Sequence, residues 1–205
     1  YAECELGDEA LDLFRRMKGE CVNPDKVTFL SVLKACISVP ALAEGNLIHT
    51  EIMRQNHELD LFIGSTLVDI YAKCGSLDLA QEVFDSVPVR DVVLWTTLIG
   101  GYAEHGLGKE ALSCFTLMQL EDVDADEVMF VCILKVCCNT GDSNKGQGIH
   151  AEIIKQGLLE KSDDVADALL EMYAKCDMFE EAKEVYDKMQ KTSTISWNVL
   201  IVGYS

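Results

Sequence analysis

The sequence is poor in proline and in positive charge, and it has no long uncharged run. Its 205 residues include three prolines, Pro24, Pro40 and Pro88, so many helices can run unbroken. Only 17 Lys and Arg stand against 35 Asp and Glu, a formal charge of -18. That balance argues at first sight against nucleic acid, whose binders usually show a basic footprint. The longest uncharged stretch, Thr192–Ser205, is shorter than the roughly 20 apolar residues a membrane span needs. The start carries no basic segment followed by an apolar one, so the expectation is no signal peptide. Also lacking are a phosphate loop, a dinucleotide fingerprint and a nucleophile elbow. With 49% apolar and 25% charged residues, the composition is that of a folded chain. Nine cysteines, an odd number in a chain large enough to have a core, read as reduced thiols of an intracellular compartment.

What is present is repetition. YAECELGDEALDLFRRM at 1–17 returns as YAEHGLGKEALSCFTLM at 102–118. IHTEI at 48–52 returns as IHAEI at 149–153, and YAKC at 71–74 returns at 173–176. LWTTLIGGY at 94–102 returns as SWNVLIVGY at 196–204. The offsets are 101 or 102 residues throughout, so the chain is about two copies of one long unit.

The long unit divides again. Apolar residues at i, i+3, i+4 and i+7 mark the buried stripe of a helix. Ala10, Leu13, Phe14 and Met17 form one such stripe, which returns as sets beginning at Gly45, Ala80, Ala111, Gly146 and Ala182. Another helix precedes each stripe, as in Leu67, Ile70, Tyr71, Cys74 and in Leu169, Met172, Tyr173, Cys176. Gly75-Ser76 and Gly106-Leu107-Gly108 suit tight turns between paired helices. Each unit is therefore predicted to be a helical hairpin of 31–36 residues. One hairpin cannot bury its apolar face alone. The predicted fold is all-α, an α-solenoid superhelix of stacked helix-turn-helix repeats with one concave face. The chain starts inside one repeat and ends in the first helix of another, so an excerpt of a longer array is expected.

Two triplets, His49-Thr50-Glu51 and His150-Ala151-Glu152, share the opening of the zinc deaminase signature, which also needs P-C-x-x-C. No such run exists, and both histidines stand where sister repeats carry Phe14, Phe84, Phe115 and Tyr186. They read as packed inter-helix residues. Cys36, Cys74, Cys137 and Cys176 fall on core positions, and their spacing is not that of a zinc site. Lys34, Lys73, Lys135 and Lys175 lie on first helices, either to meet phosphates or as solvated helix-end charges.

The mixed periods of 35, 31 and 35, the G-x-x-I-H phrase, VNPDKVTF (22–29), YAKCGSLDLAQEVFD (71–85) and RDVVLWTTLIGGYAEHG (90–106) carry a family resemblance. Over its whole length the chain resembles pentatricopeptide repeats of the plant PLS subclass, in which P, long (L) and short (S) motifs alternate. The implied registers are partial P 1–25, L 26–60, S 61–91, P 92–126, L 127–162, S 163–193 and partial P 194–205. The resemblance implies single-stranded RNA as partner, one base per repeat. The fifth and last residues of a motif would select the base, and the second would pack on its face. The P motif then offers Val93, Thr96 and Asp126, and the first S motif offers Phe62, Ser65 and Asp91; both sets imply guanine. The last partial motif offers Ile195 and Asn198, implying a pyrimidine. The first keeps only Asp25, implying uracil or guanine. Val27 is the second residue of the first L motif.

Departures are visible. Leu30 and Val131, the fifth residues of the L motifs, cannot hydrogen-bond a base. The second S motif places Asp164 and Asp167 where an apolar and a selecting residue are expected, and Asp167 with Ser193 matches no usual pair. These three repeats are expected to read weakly or to serve another purpose. The implied target runs K-N-G-G-N-N-Y, where K is G or U. The implied role is the recognition array of an organellar C-to-U editing factor, in a chloroplast or mitochondrion, with small organellar editing cofactors docking on L motifs. A protein-binding scaffold and an RNA splicing or processing factor are the alternatives. No catalytic residue, cofactor, metal, membrane or small-molecule substrate is implied.

The five complete first helices, taken as 27–37, 62–73, 93–104, 128–138 and 164–175, sum to only -1. The acidity lies on second helices and junctions, so it does not exclude RNA. It predicts modest non-specific affinity and reliance on base readout.

Overall fold

The computed structural model describes residues 2–38, 42–55, 60–189 and 193–203, with the side chains of 2–6, 38, 195 and 203 outside that set. Among the described residues there are twelve α-helices and no strand. They fall into two compact units, Tyr1–His105 and Gly106–Ser205. The first unit holds α1 (Ala2–Gly19), α2 (Lys26–Ser38), α3 (Leu42–Arg54), α4 (Leu61–Lys73), α5 (Leu77–Ser86) and α6 (Val92–Glu104). The second holds α7 (Gly108–Leu120), α8 (Glu127–Thr140), α9 (Ser143–Gln156), α10 (Asp163–Lys175), α11 (Phe179–Lys188) and α12 (Thr194–Gly203). Each unit is a second helix, two complete hairpins and a first helix. This is the physical form of the 101-residue offset in the sequence. The first helices begin one residue earlier than the apolar pattern indicates.

Packing follows the same plan in both units. First helices pack on first helices, α2 on α4 and α4 on α6, then α8 on α10 and α10 on α12. Each complete hairpin's second helix lies against two of them: α3 touches α2 and α4, α5 touches α4 and α6, α9 touches α8 and α10, and α11 touches α10 and α12. The contact is made by adjacent apolar pairs on the first helices, Val32/Leu33, Leu67/Val68, Leu98/Ile99, Ile133/Leu134 and Leu169/Leu170, all buried. Each side chain of this size contributes about 2 kcal/mol when fully removed from water. The stripes of the second helices are buried as expected at Val83 and Phe84, at Cys114 and Phe115, and at Ile48, Ile149 and Val185. Leu13 departs from the expectation: it is 62% exposed, while Leu11 and Phe14 are buried. Helix α1 packs on α2, which buries Leu11 and Phe14 and leaves Leu13 facing away.

The G-x-x-I-H phrase has a packing cause. A Cβ on Gly146 would lie 2.5 Å from Met172 Sδ, and one on Gly45 would lie 3.1 Å from Ile70 Cγ2. Glycine at this place lets α3 approach α4, and α9 approach α10, more closely than alanine allows. One turn later the histidine meets a tyrosine of that helix. His49 Nδ1 lies 3.0 Å from the Tyr71 hydroxyl, and His150 Nδ1 lies 2.8 Å from that of Tyr173. Burial pushes both histidines below their ordinary pKa and both tyrosines up to about 12, so a neutral imidazole shares one hydrogen bond with a protonated phenol. The packed-histidine expectation therefore holds. The glutamates of the two triplets are engaged structurally. Glu51 accepts from Arg54, Gln55 and Lys18, bonds that hold its pKa down to about 2. Glu152 accepts from Lys155 and Gln156.

Cys36 and Cys137 are buried, which raises their thiols to about 11 and about 12 and keeps them protonated. No disulfide occurs among the described residues, and no described helix is long and apolar enough to cross a membrane. Several helix ends close by one device, whereas α5 and α11 end on the extended residues Val87 and Met189. Gly75 has φ +73°, and the next amide, Ser76 N, donates to Tyr71 O. The repeat equivalent, Asp177, takes φ +58°, and Cys21 and Asp122 share the geometry at the ends of α1 and α7.

Two predictions follow from these contacts. Cys21 is exposed and holds a left-handed conformation that glycine adopts without strain. Cys21→Gly should stabilise the protein by about 1 kcal/mol, read as a higher urea midpoint. The histidine pKa values are depressed in the folded state, so their stabilisation is complete above the unfolded value of 6.5 and is lost as pH falls below it. The melting temperature should therefore drop between pH 7 and pH 5. His49→Gln with His150→Gln should flatten that drop while keeping an acceptor for each tyrosine, as Gln81 serves Tyr102 at 3.0 Å.

Candidate nucleic-acid interface

Every first helix opens on a side-chain cap supplied by the last residue of the preceding motif. Asp60 accepts from the backbone N–H groups of Phe62 and Ile63, Asp91 from Leu94 N at 2.9 Å, and Asp126 from Met129 N at 2.8 Å. Asp25 accepts from both Thr28 N and Thr28 Oγ1 at 2.8 Å, bonds that lower its pKa. Ser162 caps α10, and Ser193 Oγ accepts from Ser196 N at 3.1 Å at the start of α12. A carboxylate here satisfies amides that have no partner in the helix and faces the positive end of its dipole. Asp91 and Asp126 cap through Oδ1, and no described residue engages their Oδ2.

The second residues form the clearest feature of the interface. Val27, Phe62, Val93 and Val128 are 57–69% exposed at equivalent places in four successive first helices. Large apolar groups that recur at the same exposed place in successive first helices are not made by core packing. Asp164 is exposed at the same place in α10, and the side chain of Ile195 lies outside the described residues. The fifth residues sit one turn further along the same face. Leu30, Ser65, Thr96, Val131 and Asp167 are half-buried there, and Asn198 is exposed.

Ser65 Oγ donates to Leu61 O at 2.6 Å, and Thr96 Oγ1 donates to Val92 O at 2.7 Å. With their protons committed to the helix, both hydroxyls present lone pairs to the outside. Among the described residues no hydrogen bond joins Ser65 to Asp91. Thr96 and Asp126 belong to different units, and each is placed within its own.

Grooves run between neighbouring first helices of the second unit. The one between α8 and α10, of about 510 Å³, is walled by Val128, Val131 and Lys135 on one side and by Asp164, Asp167 and Glu171 on the other. The one between α10 and α12, of about 450 Å³, is lined by Lys175, Asn198 and Val202 among others. In the second unit Val128, Val131, Asp164, Asp167 and Asn198, singled out by register, thus face grooves rather than the core.

The four lysines divide. Lys73 pairs with Asp69 at 2.9 Å and Lys175 with Glu171 at 3.3 Å, each one turn away on its own helix. Lys34 and Lys135, repeat equivalents on α2 and α8, are exposed and have no ion pair among the described residues. They remain open to a phosphate. Sequence reasoning missed Lys26, whose ammonium pairs with Asp60 and lies 5.7 Å from the Phe62 ring centroid. Burial alone would raise Asp60, but the bonds from Lys26, Ile63 and Phe62 outweigh it and hold its pKa below the ordinary value. The missed signal was distance along the chain: Lys26 opens one motif, and Asp60 closes the same motif 34 residues later. Among the described residues no three His, Cys, Asp or Glu side chains gather as a metal site would require.

Comparison with known proteins agrees with this architecture. A family model described as the PPR repeat family matches residues 90–158, and one described as the PPR repeat matches 1–22, 65–92 and 167–192. Pentatricopeptide repeat-containing protein At3g12770 of Arabidopsis thaliana is 37% identical across the whole chain, which covers 30% of that relative. At1g15510 of the same plant, labelled chloroplastic, is 34% identical across the whole chain, which covers 24% of it. Other matched relatives are labelled mitochondrial or carry no organelle label. Among solved structures, the pentatricopeptide repeat protein PPR10 in complex with an 18-nt psaJ RNA element superposes with a TM-score of 0.74 at 18% identity, covering 98% of this chain and 31% of that one. The chain thus spans about a quarter to a third of the curated relatives named here.

The capping role and any reading role of the junction aspartates can be separated. Asp91→Ala should lower stability by about 1 kcal/mol in chemical denaturation. Asp91→Asn keeps an acceptor for Leu94 N and should leave stability near that of the unaltered chain.

Proposed function

The chain belongs to the pentatricopeptide-repeat family, and on that premise we infer that it binds single-stranded RNA through the exposed faces of its first helices. The observation that carries this reading is the row Val27, Phe62, Val93, Val128: four solvent-facing apolar side chains in repeat register, with the fifth residues one turn beyond. A flat base lies on an aliphatic or aromatic face, and its edge meets the side chain beyond it. The related protein bound to an 18-nt RNA lends the reading its substrate class.

The chemistry of Ser65 and Thr96 favours guanine. Both hydroxyls point their protons into the helix and offer lone pairs. Asp91 and Asp126 add carboxylate acceptors that are already anchored by one oxygen. Guanine presents adjacent N–H donors on its Watson–Crick edge, so an acceptor-rich site suits it. Asn198 adds an amide that both donates and accepts, which suits the carbonyl and N3 of a pyrimidine. In this reading the first S motif reads G through Phe62, Ser65 and Asp91. The P motif reads G through Val93, Thr96 and Asp126. Ile195 and Asn198 hold a pyrimidine, and Asp25 with the preceding motif holds G or U. Lys34 and Lys135 meet phosphates.

The wider role is the recognition array of an organellar C-to-U editing factor of the PLS type, with editing cofactors on the L motifs. Support for the compartment comes from relatives labelled chloroplastic and mitochondrial. Support for the alternating motif classes comes from the 35, 31, 35 spacing.

The test is equilibrium binding of short strands built on K-N-G-G-N-N-Y. Guanine at the two central places should bind about tenfold more tightly than the other bases, the scale of one good base-edge contact. Thr96→Asn should move the preference at the second central place from G to U. Binding should also weaken as salt rises. Indifference to both central bases at every salt concentration would refute the register, and tighter binding of duplex than of any single strand would refute the RNA reading.

A further inference from the structure

The second S motif differs from the first at one buried atom. In the first, Ser65 and Asp91 spend their described bonds on their own helices, and no hydrogen bond joins them among the described residues. In the second, the corresponding pair is joined. Ser193 Oγ donates to Asp167 Oδ2 at 2.8 Å, and Ser196 Oγ donates to Asp167 Oδ1 at 2.8 Å. The two serines also serve each other: Ser193 N donates to Ser196 Oγ at 3.0 Å, and Ser196 N donates to Ser193 Oγ at 3.1 Å. Both carboxylate oxygens and both hydroxyl protons of the trio are therefore committed.

Ser196 is the unusual member. It is the third residue of its motif and is fully buried. The same place holds Ile63, Leu94, Met129 and Val165 in four other motifs, each buried and none able to donate. At the remaining place Thr28 is half-buried, and its hydroxyl also goes to the junction residue, Asp25. A third-position hydroxyl thus bonds across the motif junction where an aliphatic side chain does not. A buried hydroxyl must find an acceptor, and Asp167 is the acceptor that α10 provides.

We propose that Ser196 is a positioning residue that turns Asp167 toward the junction and closes it, so that this motif takes a nucleotide without selecting its base. The proposal rests on the RNA reading above. The serines fix the plane of the Asp167 carboxylate, and turning it to meet a base edge breaks their bonds and strands Ser196 inside the protein. Where that cost exceeds the gain from a base-edge bond, the carboxylate stays on the serines and no base draws a selective contact from it. The flanking Asp164 and Glu171, one turn to either side on α10, make this helix face acidic, and its Lys175 is paired with Glu171; Lys135, across the α8–α10 groove, is the cation nearest to hand for the strand. This gives a physical cause for weak reading here.

The test compares the unaltered chain with Asp167→Ser/Ser193→Asp/Ser196→Leu, which copies Ser65, Asp91 and Leu94 into the second S motif. Strands built on K-N-G-G-N-N-Y are varied at the sixth base. The unaltered chain should change affinity less than about threefold across the four bases, and the triple variant should gain about tenfold for guanine there. Central-base preferences should not move. Ser196→Ala, which removes one hydroxyl and needs no repacking, should gain preference in the same direction but by less. Ser196→Thr, which keeps the hydroxyl, should behave as the unaltered chain. Tenfold discrimination at the sixth base by the unaltered chain would overturn the proposal. So would flat profiles for both the triple variant and Ser196→Ala with the central preference intact. If no variant binds any single strand, the RNA reading falls and this proposal falls with it.

Discussion

A second helix held against two first helices is the contact on which the rest of the structure depends. Within each unit the hairpins are too small to bury their own apolar faces, and the contact from one hairpin to the next completes the core. Helix α5 shows this on both sides, with Val83 and Phe84 buried between α4 and α6. This requirement fixes the rotation of every first helix about its axis. Val32/Leu33 and its equivalents turn inward, so residues two, five and nine turn outward. The outward direction of Val27, Phe62, Val93 and Val128 is therefore a consequence of the core, while their apolar character is not. A ligand-facing surface at these positions costs the protein little beyond keeping them apolar.

The same economy applies to the junction aspartates. Asp60, Asp91 and Asp126 are needed as caps whether or not any ligand comes, because the first amides of α4, α6 and α8 have no partner inside the helix. Capping uses one oxygen of Asp91 and Asp126 and fixes the plane of the carboxylate. A second acceptor is then left with its side-chain entropy already lost. Capping and any contact with a ligand are thus open to different atoms of one side chain. Asp167 shows what happens when they are not separated: both of its oxygens go to Ser193 and Ser196, and the side chain becomes part of the fold.

Much of this was legible in the sequence because it is periodic. The helix faces, the hairpin turns at Gly75 and Gly106 and the junction caps each recur, and recurrence distinguishes a rule from an accident. The histidines could be placed in the packing because sister repeats carry Phe at the same place. What could not be read is local and non-repeating. The pairing of Lys26 with Asp60 joins residues at opposite ends of one motif. Ser196 looks like an ordinary third residue until its burial and its line to Asp167 are known. The partners of His49 and His150 also required the structure, because the close approach at Gly45 and Gly146 is what brings Tyr71 and Tyr173 within reach.

The net charge of -18 takes on a different meaning once the atoms are placed. A phosphate-binding surface needs cations, but a base-reading surface can be built from acceptors, because base edges carry donors. The outward face of the first helices supplies lone pairs at Ser65, Thr96, Asp91 and Asp126, and unpaired ammonium groups at Lys34 and Lys135. Anions there repel a phosphate at any sequence but are offset where a guanine edge donates to them. Acidity on such a face therefore weakens all strands and weakens the matched strand least. By this argument the shortage of positive charge, which at first counted against nucleic acid, raises the ratio of specific to non-specific binding while lowering both.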